Sequence, residues 1–311
     1  MKIAIIGAGG VGGYFGARLH EAGEDVVFVA RGEHLAAIQN SGLKVHSSLG
    51  DMHLTDVKCT NSVGDIGTVD LVVIAVKLWA TDSAVNDCRP LLHDYTGIVS
   101  FQNGIMAEQR IEATYTKKHS LGGVANIAAL IEEPGVIRHN GSMASLYFGE
   151  LDNSHSERTQ IFLEACTRAN IAANIPEDIN ATIWEKYIRL MTMSSMTSLC
   201  RMPIGPIREN PKTRKLLKRI IEEVIAVAKE HKIVFPENVL EEQLKIIDSY
   251  PATMVASMCG DLRRGNRLEL PWLAGMVSAL GKKLGIATPA TDFVDAALTL
   301  FELGRPDDAQ I

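Results

Sequence analysis

No stretch of this chain reaches the roughly 18 consecutive apolar residues that a membrane-spanning helix needs, so no membrane partner is expected. Cysteine is sparse and unpatterned. Cys59, Cys88, Cys166, Cys200 and Cys259 are odd in number, far apart and without CxxC spacing, which argues against a disulfide framework and for a reduced, cytoplasmic protein. The nine histidines show neither HxxxH nor HExxH spacing, and no metal site is expected. Positive charge is not in excess either: 31 Lys and Arg stand against 37 Asp and Glu, with no basic run, so no nucleic acid is expected and a small-molecule partner fits better. The N-terminal apolar run is broken at once by glycines and has neither the length nor the cleavage site of a signal peptide.

What is present is a globular composition of 46% hydrophobic and 22% charged residues, in a chain of 311 that is long enough for two domains. Residues 2–6 form a β-branched apolar run ending in Gly7, and 10–22 read as a helix closed by Gly23. Further apolar strands are expected at 26–30, 71–76 and 98–101. They end at Arg31, Lys77 and Gln102-Asn103, and such runs separated by polar connections predict a parallel sheet buried on both faces. Shorter strand-like pieces lie at 120–125, 136–139 and 145–148. After about Pro176 the pattern turns helical, which predicts an α/β domain over 1–176 and an all-helical domain over 177–311. One helix is expected over 179–199. A second opens with Asn210 as cap and Pro211 at its first position, and others start near Pro271 and near Pro289, the last capped by Thr288 and stopped at Gly304. The large apolar helices leave room for a homodimer.

Gly7, Gly9 and Gly12 spell G-x-G-x-x-G between the first strand and its helix. The first glycine permits the tight turn, the second lets the backbone approach a pyrophosphate at the helix N-terminus, and the third allows close packing. Gly10 and Val11 complete the candidate cofactor loop. At the end of the second strand, where an NAD site usually presents an acid, stands Arg31, whose guanidinium suits a 2′-phosphate and favours NADP (NADPH); Glu33 is the alternative, as an acceptor for a 2′-hydroxyl. Arg31, Lys77 and Asn103 thus mark three strand ends of one sheet edge.

The segments GAGGVGG, Arg31, Val76-Lys77-Leu78-Trp79, Gln102-Asn103-Gly104, Trp184-Glu185-Lys186, and Ser257-Met258 followed by Asp261, Gly265 and Glu269 resemble, in order and over nearly the whole chain, the ketopantoate reductase (2-dehydropantoate 2-reductase) family. The resemblance implies a Rossmann-type dinucleotide-binding domain over 1–176, a helical C-terminal domain over 177–311, and NADPH-dependent reduction of 2-dehydropantoate to pantoate on the way to pantothenate. It also implies that Lys186 is the catalytic lysine, Glu269 the active-site glutamate, Ser257 a substrate-binding serine, and Lys77 and Asn103 residues of the nicotinamide end, with Asn103 also near substrate. One departure stands out. The family usually carries asparagines four and eight residues beyond the lysine, on the same helix face, and here Leu190 and Ser194 occupy those places; Ser194 is kept as a substrate-binding candidate. Leu268 and Pro271 likewise replace residues often found beside the glutamate.

Chemistry supports the lysine independently. Hydride arrival at a ketone puts negative charge on oxygen, and an ammonium both stabilises that charge and delivers the proton. Glu269 would hold it charged and aimed, while desolvation would bring its pKa down toward working pH. The alternatives are a solvated helix lysine for Lys186 and a helix-start carboxylate for Glu269. Trp79 and Trp272 either wall a nicotinamide pocket or pack. Cys259, Met191, Met193 and Met196 are expected in the core. Two further readings are a reductase of a different 2-oxo acid, and a non-catalytic NADP-binding sensor.

Overall fold

The computed structural model describes residues 1–306; positions 307–311, the end of the expected helical domain, lie outside the described residues. The chain divides into two compact units, Met1–Ile183 and Trp184–Ile311.

The first unit runs β1 (Lys2–Ile6), α1 (Gly10–Glu21), β2 (Asp25–Val29), α2 (Gly32–Ser41), β3 (Leu43–Ser47), β4 (Met52–Leu54), β5 (Lys58–Thr60), β6 (Leu71–Ile74), α3 (Thr81–Asp87), β7 (Gly97–Ser100), α4 (Ala107–Thr114), β8 (Ser120–Glu133), β9 (Val136–Glu150), α5 (Glu157–Arg168) and β10 (Ala172–Asn174). The described strands form one mixed sheet in the order β4-β3-β9-β8-β7-β6-β1-β2-β5, with β10 beside β9. From β5 to β8 the pairing is parallel with β1 central, the doubly wound arrangement whose order reverses beside the first strand. Strand β1 explains the unbroken apolar runs. Ile3 and Ile5 pack with Val26 and Phe28 on one face, Ala4 and Ile6 with Val27 and Val29 on the other, so alternate residues are buried on opposite sides.

Two expectations need correction here. The three short pieces at 120–148 belong to two long antiparallel strands, β8 and β9, joined by a tight turn at Gly135, whose φ of 81° is left-handed. Their middles are partly exposed: the apolar run at 127–131 continues β8 beyond the expected 125, and Leu130 and Ile131 on it are exposed. Strands β3, β4, β5 and β10 were not foreseen; β5 reads Lys-Cys-Thr and is held by pairing to β2 rather than by an apolar pattern of its own.

Helix α6 (Ile179–Cys200) crosses the division between units, which follows Ile183. Its first turn is anchored within the first unit: Asn153 accepts from the Ile179 amide at 3.2 Å and Asn180 donates to the Leu151 carbonyl at 2.9 Å. The second unit continues with α7 (Ile204–Glu209), α8 (Pro211–Glu230), α9 (Val239–Ser249), α10 (Ser257–Arg264), α11 (Ala274–Leu284) and α12 (Pro289–Leu298), with no strand among its described residues. Asn210 caps α8 as expected, accepting from the Lys212 amide at 2.9 Å. Thr288 does not cap α12 in the expected way. Its hydroxyl turns to Asp292, and the amides of Ala290 and Thr291 donate instead to the buried carboxylate of Glu223 on α8, at 3.0 and 2.9 Å. The two oxygens of Glu223 satisfy two orphan donors of the helix N-terminus at once, while the Thr288 hydroxyl donates to Asp292. Nor does Gly304 stop α12, which ends at Leu298 before a short 3₁₀ turn, and Pro271 sits in another 3₁₀ turn ahead of α11. No helix among the described residues is long and apolar enough to cross a membrane.

Candidate active site

In the first unit the register of the central strands does the positioning. Val29, Ile6, Ile74 and Ser100 lie side by side across β2, β1, β6 and β7, so the connections that follow, carrying Arg31, Gly7 to Gly12, Lys77 and Asn103, leave the sheet along one edge. Gly7 has φ 104°, and a side chain there would meet the Val76 backbone at 2.9 Å. Its amide and that of Ala8 both donate to the Val29 carbonyl at 3.1 Å, which seats the turn on β2. Gly12 lies against the strand: a Cβ would fall 2.2 Å from the Gly7 carbonyl oxygen and 2.8 Å from Ile5, so only glycine lets α1 approach β1 this closely. Gly9, the residue before α1, faces open space. A turn with exposed backbone at a helix N-terminus, on the switch-point edge of a doubly wound sheet, fits the pyrophosphate of a dinucleotide. Gly10 has a separate reason to be glycine, because a Cβ would fall 2.3 Å from the Ala129 carbonyl oxygen of β8. Val11 is half-buried in the first turn of α1.

Arg31 is exposed at the start of α2, in extended backbone with φ −138°, and Glu33 is exposed one turn on. Lys77 is exposed with its ammonium 5.7 Å from the ring centre of Trp79, and Asn103 is half-buried. Between the last two strand ends sits Gln102, a residue without an expected role. Its buried amide donates to the Val76 carbonyl at 2.8 Å and to the Thr81 hydroxyl at 2.9 Å, while its oxygen accepts from Ser100 at 3.0 Å. Gln102 therefore staples the Lys77 segment to the Asn103 segment. Glu108, in the first turn of α4, was also missed. Burial pushes its carboxyl up to about 7, against hydrogen bonds from its own amide and from Gly123.

The second unit holds the other candidates. Lys186 is half-buried on α6, and its pKa is lowered to about 8, first by burial and then by the guanidinium of Arg189, with Glu269 opposing. Glu269 is 6% exposed. The segment that follows it is tied to the lysine helix by Tyr187, whose hydroxyl donates to the carbonyls of Trp272 and Leu273 at 3.1 and 2.9 Å. Arg189 is one helical turn from Lys186 and donates to the buried Gln243 of α9 at 2.9 Å, which fixes its charge. A spacing of three residues on a helix was available to reading, but only the fold shows that this arginine shares the lysine's electrostatic surroundings.

Leu190, half-buried, and Ser194, fully buried, continue the Lys186 face. The Ser194 hydroxyl has no hydrogen-bond partner, nor have those of Thr192 and Ser198 on the same helix. Ser257 is exposed at the start of α10, and the preceding amide, of Ala256, donates to Thr197 of α6 at 3.3 Å. Met191, Met193, Met196 and Cys259 are buried. Trp272 lies with its ring centre 5.7 Å from the guanidinium of Arg267. No group of three or more His, Cys, Asp or Glu side chains suited to a metal ion occurs among the described residues.

Comparison with known proteins identifies the family. The family model described as ketopantoate reductase PanE/ApbA matches residues 3–153, and the model of its C-terminal part matches 178–302. Among curated proteins, an uncharacterized oxidoreductase of Bacillus subtilis is 30% identical, covering 97% of this chain and 99% of its own. A 2-dehydropantoate 2-reductase of Mesorhizobium japonicum is also 30% identical, covering 98% and 99%. Among solved structures, 2-dehydropantoate 2-reductase of Geobacter metallireducens superposes with a TM-score of 0.89 at 30% identity, over 96% of this chain and 99% of that one. A D-mandelate dehydrogenase in complex with NADH superposes with a TM-score of 0.86 at 25% identity, over 97% and 99%. With the fold, the glycine turn and the two matched models in agreement, this chain belongs to the ketopantoate reductase family.

Proposed function

We propose that this oxidoreductase catalyses NADPH-dependent reduction of 2-dehydropantoate to (R)-pantoate, a step of pantothenate biosynthesis, with Lys186 as the proton donor. The observation that carries the reading is the half-buried Lys186 on α6, whose pKa is lowered to about 8 by burial and by the Arg189 guanidinium, with Glu269 opposing. A lysine in that range is still largely protonated at neutral pH yet gives up its proton far more readily than an exposed one.

The residues divide into two roles. Gly7, Gly9, Gly10, Val11 and Gly12 are assigned to the pyrophosphate, Arg31 to the 2′-phosphate, and Lys77 and Asn103 to the nicotinamide end, with Gln102 holding their two segments together. Bound there, the reduced nicotinamide would supply the hydride. Lys186 would donate a hydrogen bond to the substrate carbonyl and then its proton to the oxygen as charge builds there. Glu269 would keep the lysine protonated and oriented. Ser194, Ser257 and Asn103 are assigned to the polar groups of the substrate.

Oxidation of NADPH at 340 nm in the presence of 2-dehydropantoate tests the whole reading, and protein that binds NADPH but turns over none of this substrate would sink it. Dissociation constants for NADPH and NADH test Arg31 separately; equal values remove it from the 2′-phosphate. A second reading keeps the chemistry and changes the substrate. It is favoured by Leu190, an apolar side chain where the lysine face continues, and by the short hydroxyl of Ser194 beyond it. Both suit a 2-oxo acid with a more apolar substituent, and a panel of aliphatic and aromatic 2-oxo acids separates the two.

A further inference from the structure

His34 stands one helical turn beyond Arg31 on α2 and touches the glycine turn directly. Its imidazole is half-buried, with Nε2 2.8 Å from the carbonyl oxygen of Ala8 and Nδ1 3.0 Å from the amide nitrogen of Gly135. A carbonyl only accepts and an amide only donates, so the partners dictate the state: a neutral ring, protonated at Nε2, accepting at Nδ1. Ala8 belongs to the turn between β1 and α1. Gly135 is the left-handed corner of the β8–β9 hairpin, whose carbonyl in turn accepts from the Lys44 amide of β3 at 2.9 Å. One ring thus links the turn to the hairpin, and the hairpin lies against the same helix start, since Ala129 leaves no room for a side chain at Gly10.

We propose that His34 is a positioning residue for the dinucleotide, holding the turn between β1 and α1 in its receptive shape through a neutral imidazole, and that protonation of this ring opens the tie and weakens cofactor binding. The inference rests on the dinucleotide reading of that turn. Protonation would place an N–H at Nδ1 opposite the N–H of Gly135, donor against donor, so the Gly135 contact must break. The charged side chains on the surrounding elements are Arg31 and Glu33 on α2, Lys44 on β3, and Glu132 and Glu133 at the end of β8. Glu132 is engaged by Arg138 at 2.6 Å and by His46 at 3.1 Å. None of them offsets the effect of burial, which lowers the pKa of His34 against the opposing bond to Ala8. The tie is therefore closed at neutral pH and opens on acidification below the ordinary histidine range.

The test is calorimetric titration of the full chain with NADP⁺, which survives acid, between pH 5 and 8, for the wild-type protein, His34→Ala and His34→Gln. Affinity is expected to drop about tenfold at pH 7.5 in His34→Ala, the size set by losing one buried hydrogen-bonded link. His34→Gln, which keeps a donor for Ala8 and has nothing to protonate, is expected to lose less. The 2′-phosphate titrates in the same range but is common to all three proteins, so the informative quantity is the difference in slope: affinity should fall more steeply toward pH 5 in the wild type than in either variant. Equal slopes in all three, or wild-type affinity in folded His34→Ala at pH 7.5, overturns the proposal. Absence of any binding by the wild-type protein would remove the dinucleotide reading as well, whereas binding indifferent to His34 removes this inference alone.

Discussion

The two units make their candidate sites from different materials. In the first, the glycine turn works mainly through backbone: strand register and the Val29 carbonyl, which accepts from the Gly7 and Ala8 amides, seat the turn, and missing side chains make room. In the second, α6 offers a side chain whose chemistry is set by neighbouring charge and burial. A backbone site tolerates almost no change in shape, while a side-chain site tolerates changes in shape better than changes in charge. Perturbations aimed at one property should therefore fail in the other unit.

The largest effect is expected from Lys186→Ala, which on the proposed chemistry lowers kcat by about a thousandfold, within the range for loss of a general acid. NADP⁺ affinity, measured by calorimetry, should stay put. A variant that loses both would erase the contrast between the units. Gly12→Ala is the counterpart in the first unit. Its methyl group would sit 2.2 Å from the Gly7 oxygen, and a loss of about 3 kcal/mol in denaturant-unfolding stability is expected, as for overpacking against backbone. Gly9→Ala meets open space and should leave stability nearly unchanged while weakening dinucleotide binding; equal stabilities for the two variants would contradict the packing account.

Glu108 sharpens the comparison because it places a titrating side chain in the backbone-built unit. With its folded pKa raised to about 7 from 4.5, the folded state resists ionisation, so its penalty is absent at low pH, grows as pH rises between those values and is complete above 7. Glu108→Gln is accordingly expected to stabilise the protein by about 2 kcal/mol at pH 8 and by nothing at pH 4, read from unfolding at both pH values. The smallest effect concerns Arg189. The protonated lysine is the active form, so activity should fall as pH rises through its pKa near 8. Arg189→Met removes a lowering charge and should move that limb to higher pH, and Glu269→Gln removes a raising one and should move it lower. Opposite or absent shifts in the pH profile of kcat would separate Lys186 from these neighbours.

The parts legible in the sequence were those set by neighbours along the chain. Strand β1, helix α1 and the glycine spacing follow from residues within a few positions of one another, as does the Asn210 cap of α8. The resemblance singled out Lys186 and Glu269, but nothing in their spacing announced Arg189 as a third member. The hairpin of β8 and β9 is legible only in fragments because Asn126 and the stretch Asn140-Gly141-Ser142 interrupt its apolar residues, and only pairing between the two strands spans those gaps. Thr288 stands at the cap position of α12 as the sequence predicts, but the carboxylate that accepts from the first amides comes from α8.

The sequence by itself determined the alternation of buried strands, the turn that only glycine can make and the long helix that carries the lysine, since periodicity and backbone sterics act over a few residues. The tertiary structure alone decided that Glu223 closes a distant helix, that His34 ties Ala8 to Gly135, and that burial with Arg189 lowers the lysine's pKa. Burial and charge act through space, and no local pattern encodes which distant side chain will arrive beside which.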